Sequence, residues 1–238
     1  MRNCLKNINF VLLESLTMER RKFVIVMAAG SGTRMGGPLP KQFLEIGGKA
    51  ILQHTIEVFQ AACPGISVVT VLNPDYIEYW RDYCLRHNFT CPQITVAGGI
   101  TRFHSVRNAL EKIPQGAVVA VHDGVRPLVT DSLVKTMFEK AAEVPALIPV
   151  VPCVDTLKVL RNEGGELRTV EGAVADRSVL YAAQTPQVFH SEVIKEAYSM
   201  AYDTAFTDDA SVVEALGEEV HLVEGNRENI KLTTPFDL

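Results

Sequence analysis

The chain has 238 residues, 47% hydrophobic and 21% charged, and carries a formal net charge of −5 at pH 7. Its longest apolar runs are far shorter than the roughly 20 residues that a bilayer span needs, which argues against a membrane protein. Lysine and arginine are scattered without a basic block, so a nucleic-acid-binding protein is also disfavoured.

The N-terminal segment does not predict a secretory signal. Its apolar centre is only FVLL (10–13), and no small-residue cleavage site follows, which is too little for a secretory signal. We expect residues 1–20 to form an N-terminal extension without fixed structure and residues 21–238 to form a single domain. The five cysteines are odd in number and contain no CxxC, so they indicate a reducing cytoplasm rather than a disulfide or zinc framework.

Strand-like and helix-like patterns alternate along most of the domain. Short runs of continuously apolar residues predict strands at 22–28, 66–72, 93–97, 117–123 and 145–151, followed by a later strand at 219–225. Helical periodicity predicts helices at 51–62, 130–143, 191–202 and 208–217. Strands of this kind are buried on both faces, so the pattern predicts an α/β fold with a mostly parallel sheet covered by helices on both faces.

Ligands of such folds bind beyond the carboxyl ends of the strands. Three predicted strands end in loops with polar residues, after Ala28, after Ala97 and after Val121. We therefore expect these three loops to converge on one crevice.

Residues 154–182 break the alternation, because two short strand patterns flank the turn sequence NEGG and no apolar helix intervenes. This segment is predicted to be a projecting β-arm. An isolated hairpin is marginally stable in water, so we expect the arm to pack on a second copy of the chain.

The loop after the first strand, AAGSGTRMGGPLPKQF (28–43), has the residues of a phosphate site. Its glycines allow backbone amides to approach an anion, while Arg34 and Lys41 add cationic side chains. Proline at 38 and 40 restricts the approach to Lys41. The loop has neither GxxxxGK[ST] nor a regular GxGxxG, so it does not predict a P-loop or a dinucleotide site.

A second candidate group follows the strand at 117–123. Asp123 could hold a divalent metal or a substrate hydroxyl, and Arg126 could contact a phosphate. The alternative is a turn aspartate paired with its neighbouring arginine. The six histidines show no HxH or HExxH spacing and predict no metal site.

Seven motifs occur in the order of one known family: AAGSGTRMGGPLPKQF, GGITRFHSV, HDGVRP, DTLK, ADRSVLYAAQTPQVF, FTDDAS and NIKLTTPFDL. From about Phe23 to Leu238 the chain closely resembles the 2-C-methyl-D-erythritol 4-phosphate cytidylyltransferases. The resemblance implies a Rossmann-like nucleotidyltransferase domain, a homodimer that exchanges the β-arm, and Mg²⁺-dependent transfer of CMP from CTP in the non-mevalonate isoprenoid pathway.

The motif match also implies residue roles. The implied catalytic residues are Arg34, Lys41, Arg177 and Lys231, of which the first two would hold the triphosphate and stabilise the reacting phosphorus. The implied nucleotide-binding residues are Ala28, Ala29, Gly30, Gly32, Gly99 and Ser105. The implied contacts to the sugar phosphate are Asp123, Arg126, Thr156, Thr185 and Thr207, together with Arg177 and Lys231. Magnesium is expected to bind mainly through the CTP phosphates, with Asp123 as a candidate ligand.

Two other functions stay open from the sequence. Ribitol-5-phosphate cytidylyltransferases share the nucleotide loops, but the motifs ADRS and FTDDAS favour methylerythritol phosphate as the acceptor. A nucleotide-binding regulator without turnover would need no transition-state cations, so the combination of Arg34, Lys41, Arg177 and Lys231 favours an enzyme.

Overall fold

The structure, a computed structural model, describes residues 20–30 and 39–238. The strands of these residues are β1 (Arg21–Ala28), β2 (Glu45–Ile46), β3 (Lys49–Ala50), β4 (Ser67–Leu72), β5 (Gln93–Ala97), β6 (Ala117–Asp123), β7 (Ala146–Pro152), β8 (Leu160–Glu163), β9 (Glu166–Thr169), β10 (Tyr181–Ala183), β11 (Gln187–His190) and β12 (His221–Glu224). The helices are α1 (Ile51–Ala62), α2 (Ile77–Arg86), α3 (Arg102–Leu110), α4 (Asp131–Lys140), α5 (Ser191–Ala197) and α6 (Asp209–Ala215).

One large sheet organises the fold. Its strand order is β10–β7–β11–β6–β1–β4–β5, and β12 also pairs with β7. The pairs of β1 with β4 and β6, of β4 with β5, and of β7 with β12 are parallel. The predicted mostly parallel α/β sheet is therefore confirmed.

Helices cover both faces of this sheet, and alternation along β1 shows how. Val24 and Val26 point into a core that contains Phe59 of α1, Trp80 of α2 and Met137 of α4. Phe23 and Ile25 point to the other face, where the core residues of α3, α5 and α6 include Phe103, Ile194 and Val213. Because both sets of strand side chains are buried, the strands read as continuously apolar in the sequence.

The structure adds an antiparallel element that the sequence patterns did not predict. Strand β11 is inserted between β6 and β7 and runs antiparallel to both. It has only four residues, with Val188 and Phe189 fully buried on opposite faces. A run this short carries little periodicity of its own.

The helix predicted at 191–202 ends earlier than expected, at Ala197. Tyr198 caps it, and the Tyr198 ring stacks on Phe103 at a centroid distance of 4.7 Å. Tyr202 also contacts Phe103, at 5.6 Å. Tyr198 and Tyr202, which prolong the helical pattern in the sequence, thus pack against α3 and do not form a further turn of helix.

Within the predicted β-arm, β8 and β9 form a hairpin with Gly164 and Gly165 at the turn. Both glycines have positive φ angles, which other residues adopt at a cost, and this explains the NEGG turn. Every residue of β8 and β9 is exposed in the single chain.

The prediction of an N-terminal extension concerns residues that, apart from Arg20, lie outside the described part of the chain. Among the helices of residues 20–30 and 39–238, none combines the length and hydropathy needed to cross a bilayer.

Candidate active site

A cavity of about 500 Å³ opens at the carboxyl ends of β1, β5 and β6. This volume is in the range of small-molecule sites. Its lining comes from all three loops that were predicted to converge and, in addition, from Asn73 after β4 and Lys231 of the C-terminal segment. The lining residues are Met27, Ala28, Ala29, Gly30, Lys41, Gln42, Asn73, Gly99, Ile100, Thr101, Arg102, Ser105, Asp123, Val125 and Lys231. The predicted crevice is confirmed.

The first wall is the start of the glycine-rich loop, which is held by a side chain that sequence reasoning missed. Gln42 is buried, and its Nε2 donates to the carbonyls of Ala28 at 2.7 Å and Gly30 at 3.0 Å. This amide fixes the point where the chain leaves β1. Gly32 and Arg34 belong to residues 31–38, outside the described residues, so their predicted roles stay predictions.

Lys41 reaches the cavity from a short 3-10 helix, Lys41–Phe43, that follows Pro40. Phe43 anchors this turn in the core, with its ring 5.1 Å from that of Tyr79. The Lys41 ammonium donates to the carbonyl of Leu232 at 2.7 Å. Three consecutive residues of the segment PKQF therefore have different roles. Lys41 supplies a cation, Gln42 holds the chain where it leaves β1, and Phe43 anchors the turn in the core.

The second wall is the turn between β5 and α3. The Ser105 hydroxyl accepts from the Gly99 amide at 2.9 Å and donates to the Thr101 carbonyl at 2.9 Å. A Cβ on Gly99 would lie 2.5 Å from the Cβ of His104, so only glycine fits at this turn. Ser105 thus stabilises the wall, and its predicted contact with cytosine stays a prediction.

Asp123 lies at the centre of the third wall. Its Oδ2 is 3.1 Å from the Lys231 ammonium and accepts from Arg126 Nε at 3.1 Å. Burial alone would raise the pKa of this carboxyl, but the attraction of Lys231, Arg102 and Arg126 outweighs it and lowers the pKa to about 2. Asp123 is therefore a carboxylate that orders two cations near the cavity.

A buried network supports Asp123 from below. The Asp123 amide donates to the Thr185 hydroxyl at 3.1 Å, and that hydroxyl lies 3.0 Å from Nδ1 of His122. The other ring nitrogen of His122 is 3.2 Å from the Arg126 carbonyl. Burial lowers the pKa of His122 to about 4, so the ring is neutral at pH 7. Thr185, predicted to contact the acceptor, is buried here and does not line the cavity.

The remaining predicted acceptor residues lie outside the cavity of the single chain. Thr156 and Arg177 are exposed on the arm, where Arg177 donates to the Val154 carbonyl at 2.8 Å. Thr207 is exposed at the approach to α6, and its amide donates to the Ser211 hydroxyl at 3.0 Å. Arg126 turns its Nη1 to the Asn229 carbonyl at 2.7 Å.

Sequence reasoning also missed Arg102, which lines the cavity from the first residue of α3. Its guanidinium forms two contacts with Asp209, at 2.7 and 2.5 Å. The signal that could have found Arg102 is its place in GGITRFHSV, a polar loop that leaves a strand end. Asp209 lies in the motif FTDDAS, but its pairing with Arg102 could not be predicted, because the pair joins distant parts of the chain.

A metal would find few protein ligands here. Within residues 20–30 and 39–238, no three His, Cys, Asp or Glu residues are grouped so that they could hold a metal ion. Asp123 is the one carboxylate among the residues that line the cavity in this part of the chain. Mg²⁺ commonly binds through one or two carboxylates, substrate phosphates and water, so this donor set fits a Mg²⁺ that arrives with a nucleotide.

Comparison with known proteins identifies the family. The family model of 2-C-methyl-D-erythritol 4-phosphate cytidylyltransferase matches residues 22–238. The chain belongs to this family. The resemblance drawn from the motifs is thereby confirmed.

Individual relatives and solved structures agree with this membership. The chain is 46% identical to the 2-C-methyl-D-erythritol 4-phosphate cytidylyltransferase of Bacteroides thetaiotaomicron over 218 residues, 92% of this chain and 96% of the relative. It is 47% identical to that of Phocaeicola vulgatus over 217 residues, 91% and 96% of the two chains. A crystal structure of 4-diphosphocytidyl-2C-methyl-D-erythritol synthase is similar with a TM-score of 0.74 and 30% identity, over 92% of this chain and 96% of that chain. The crystal structure of the 2-C-methyl-D-erythritol 4-phosphate cytidylyltransferase from Thermus thermophilus is similar with a TM-score of 0.68 and 31% identity, over 92% of this chain and 95% of that chain.

Proposed function

We propose that this protein transfers CMP from CTP to 2-C-methyl-D-erythritol 4-phosphate and releases pyrophosphate. The observation that carries the proposal is the cavity of a family member, which Lys41 and Lys231 line together with Gly30 at the start of the glycine-rich loop. Cations held at fixed positions are what a reaction between anions requires.

The proposed reaction is a substitution at the α-phosphorus of CTP. An oxygen of the acceptor phosphate forms the new bond to this phosphorus, and the bond to the bridging oxygen of pyrophosphate breaks. Pyrophosphate leaves with the electron pair. Because the acceptor phosphate is already ionised at neutral pH, no general base is needed, and positioning with electrostatic stabilisation supplies the acceleration.

Separate groups of residues bind CTP and the acceptor. Arg34 and Lys41 hold the triphosphate and stabilise the charge on the reacting phosphorus, and Ala28, Ala29, Gly30, Gly32, Gly99 and Ser105 form the nucleotide site. The acceptor site is formed by Asp123, Arg126, Thr156, Thr185, Thr207, Arg177 and Lys231. The position of Thr185 under the Asp123 amide supports an indirect role, in which it holds Asp123 in place.

We propose Mg²⁺ as the cofactor, with Asp123 as its protein ligand beside the nucleotide phosphates. When bound, the ion would neutralise phosphate charge. Asp123 is suited to this because the lowered pKa keeps it ionised.

We further propose that the enzyme acts as a cytoplasmic homodimer through its β-arm. Support comes from apolar side chains that the single chain leaves in water, since Leu167, Val174 and Val179 are each at least 69% exposed. Such exposure on an arm indicates a protein contact. The described cysteines Cys63, Cys84, Cys91 and Cys153 are free thiols, which suits a reducing compartment.

Pyrophosphate release tests the proposed function. Purified protein with CTP and Mg²⁺ is offered methylerythritol 4-phosphate, ribitol 5-phosphate or no acceptor in parallel. We expect release only with methylerythritol phosphate, at enzyme concentrations far below those of the substrates. Preference for ribitol phosphate would overturn the acceptor assignment, and CTP binding without release would indicate a regulator.

A further inference from the structure

A buried ion pair lies behind one wall of the cavity. Arg102 donates through Nη1 to Oδ1 of Asp209 at 2.7 Å and through Nη2 to Oδ2 at 2.5 Å. The Tyr198 hydroxyl donates to the same Oδ1 at 2.6 Å. Asp209 is fully buried at the first residue of α6, whereas about a third of the Arg102 side chain stays exposed. The pair therefore runs from the protein interior to the cavity.

The electrostatics keep the guanidinium of this pair charged. Burial would lower the pKa of the Arg102 guanidinium, but Asp209 raises it well above its usual range. Burial and the neighbouring Asp209 raise the pKa of the Tyr198 phenol, so it remains a hydrogen-bond donor. The carboxylate is thus held by three donors, and the plane of the guanidinium is fixed by two parallel bonds.

Only part of the guanidinium is used by these contacts. Arginine has five N–H donors, and Asp209 takes two of them. Among the described residues, Arg102 has no further hydrogen-bonded partner, although it lines the cavity with Lys41 and Lys231. Arg102 also begins α3, where the helix dipole favours negative charge.

We propose that Arg102 contacts the phosphate groups of the nucleoside triphosphate and that Asp209 and Tyr198 are positioning residues that orient its guanidinium. A planar fork with donors to spare matches phosphate oxygens, and the pairing behind it prevents the side chain from swinging away. This inference rests on the proposed function, because it assumes that the cavity binds CTP.

The other explanation for the pair is purely structural, namely a tie between α3 and α6. The two explanations differ in which part of the nucleotide they affect. A phosphate contact influences the binding of CTP but not that of cytidine, which has no phosphate. A structural tie influences both ligands alike, because it shapes the whole wall that includes Gly99 and Ser105.

The test is a double substitution, Arg102→Gln with Asp209→Asn, which removes both charges together and leaves no unpaired buried ion. The dissociation constants of CTP and cytidine are measured by titration without acceptor, with thermal unfolding as the check on folding. The control is Arg20→Gln with Glu192→Gln, which removes a 2.9 Å ion pair that is exposed and outside the cavity lining. Asp209→Asn alone tests positioning, since it keeps the guanidinium charge.

For the double variant we expect CTP to bind on the order of tenfold to a hundredfold more weakly, while cytidine binding changes less than about twofold. Asp209→Asn should give an intermediate loss that is again specific to CTP, and the control variant should match wild type. Equal weakening of both ligands, or unchanged CTP binding, would overturn the inference. Failure of the wild type to bind CTP would instead overturn the proposed function.

Discussion

The Lys231 ammonium lies 3.1 Å from Oδ2 of Asp123, although Asp123 ends β6 and Lys231 belongs to the C-terminal segment of the chain. Arg126 Nε binds the same oxygen at 3.1 Å. Asp123 therefore holds Lys231 beside the cavity before any substrate arrives. In the proposed reaction, this arrangement reduces the reorganisation needed when phosphate charge enters.

The pairing predicts how the protein responds to acid. The pKa of Asp123 in the folded protein, about 2, is below its ordinary value of 3.8. A carboxyl of this kind binds protons more readily in the unfolded state, so its contribution to stability is present above pH 3.8 and is lost as the pH falls through about 2. Lys231→Met removes the strongest attraction on Asp123. It should raise this pKa and lower the free energy of unfolding at pH 7 by about 1 kcal/mol.

Urea unfolding of wild type and Lys231→Met between pH 2 and pH 7 checks this prediction. The two stabilities should differ by a constant amount above about pH 5 and approach each other as Asp123 becomes protonated in both proteins. A difference that persists unchanged at pH 2 would show that Lys231 acts through something other than Asp123.

Lys41→Ala should reduce kcat more than any other single substitution among the described site residues. A fixed cation that stabilises charge in the transition state contributes on the order of a hundredfold to a thousandfold to the rate. The measurement is steady-state pyrophosphate release. Lys49→Ala is the matched control, because Lys49 forms an exposed ion pair with Glu57 outside the cavity lining. Similar rates for the two variants would exclude Lys41 from the chemistry.

Gln42→Leu should impair the glycine-rich loop without removing any charge. The substitution keeps the volume of this buried side chain but deprives the Ala28 and Gly30 carbonyls of their donor, at a cost of about 1–3 kcal/mol. We expect a lower melting temperature together with a raised KM for CTP. Gln42→Glu would repel both carbonyls and should be worse. An unchanged KM in a destabilised protein would mean that the clamp serves folding alone.

Exchange of the arm between subunits predicts complementation. Lys41→Ala damages the cavity and Arg177→Ala damages the arm, so each variant alone should have little activity. In a mixed dimer, one cavity retains both residues if the arm of the partner completes it. Co-refolded equal mixtures should therefore recover about one quarter of wild-type activity, because half of the dimers are mixed and each has one intact site. Mixtures that remain inactive would contradict sharing of the site across the dimer.

The sequence predicted the parts of the fold whose signal is local. Strands β1, β4, β5 and β6 are continuously apolar because helices cover both sides of them, and the NEGG turn marks the hairpin. Strand β11 could not be predicted in the same way, since four residues define no period and their antiparallel insertion depends on distant neighbours.

The same distinction applies to the site. The sequence predicted the glycine-rich loop and the cations at strand ends, because residue types that bind phosphate directly follow predicted strands. Three features could not be predicted from the sequence: the hydrogen bonds of Gln42 to the loop, the burial of Thr185 under Asp123, and the ion pair of Arg102 with Asp209. Each depends on a side chain meeting a group from another part of the chain, which residue spacing does not encode.

The most direct test of the central claim is the identity of the product after a single turnover. Phosphorus NMR is recorded on excess enzyme mixed with CTP, Mg²⁺ and methylerythritol 4-phosphate whose phosphate carries ¹⁸O in its non-bridging oxygens. Attack of that phosphate on the α-phosphorus predicts a new pair of coupled diphosphate signals that carry the label, together with unlabelled pyrophosphate. Label in the pyrophosphate, or formation of CDP and free phosphate without a new diphosphate, would contradict the account.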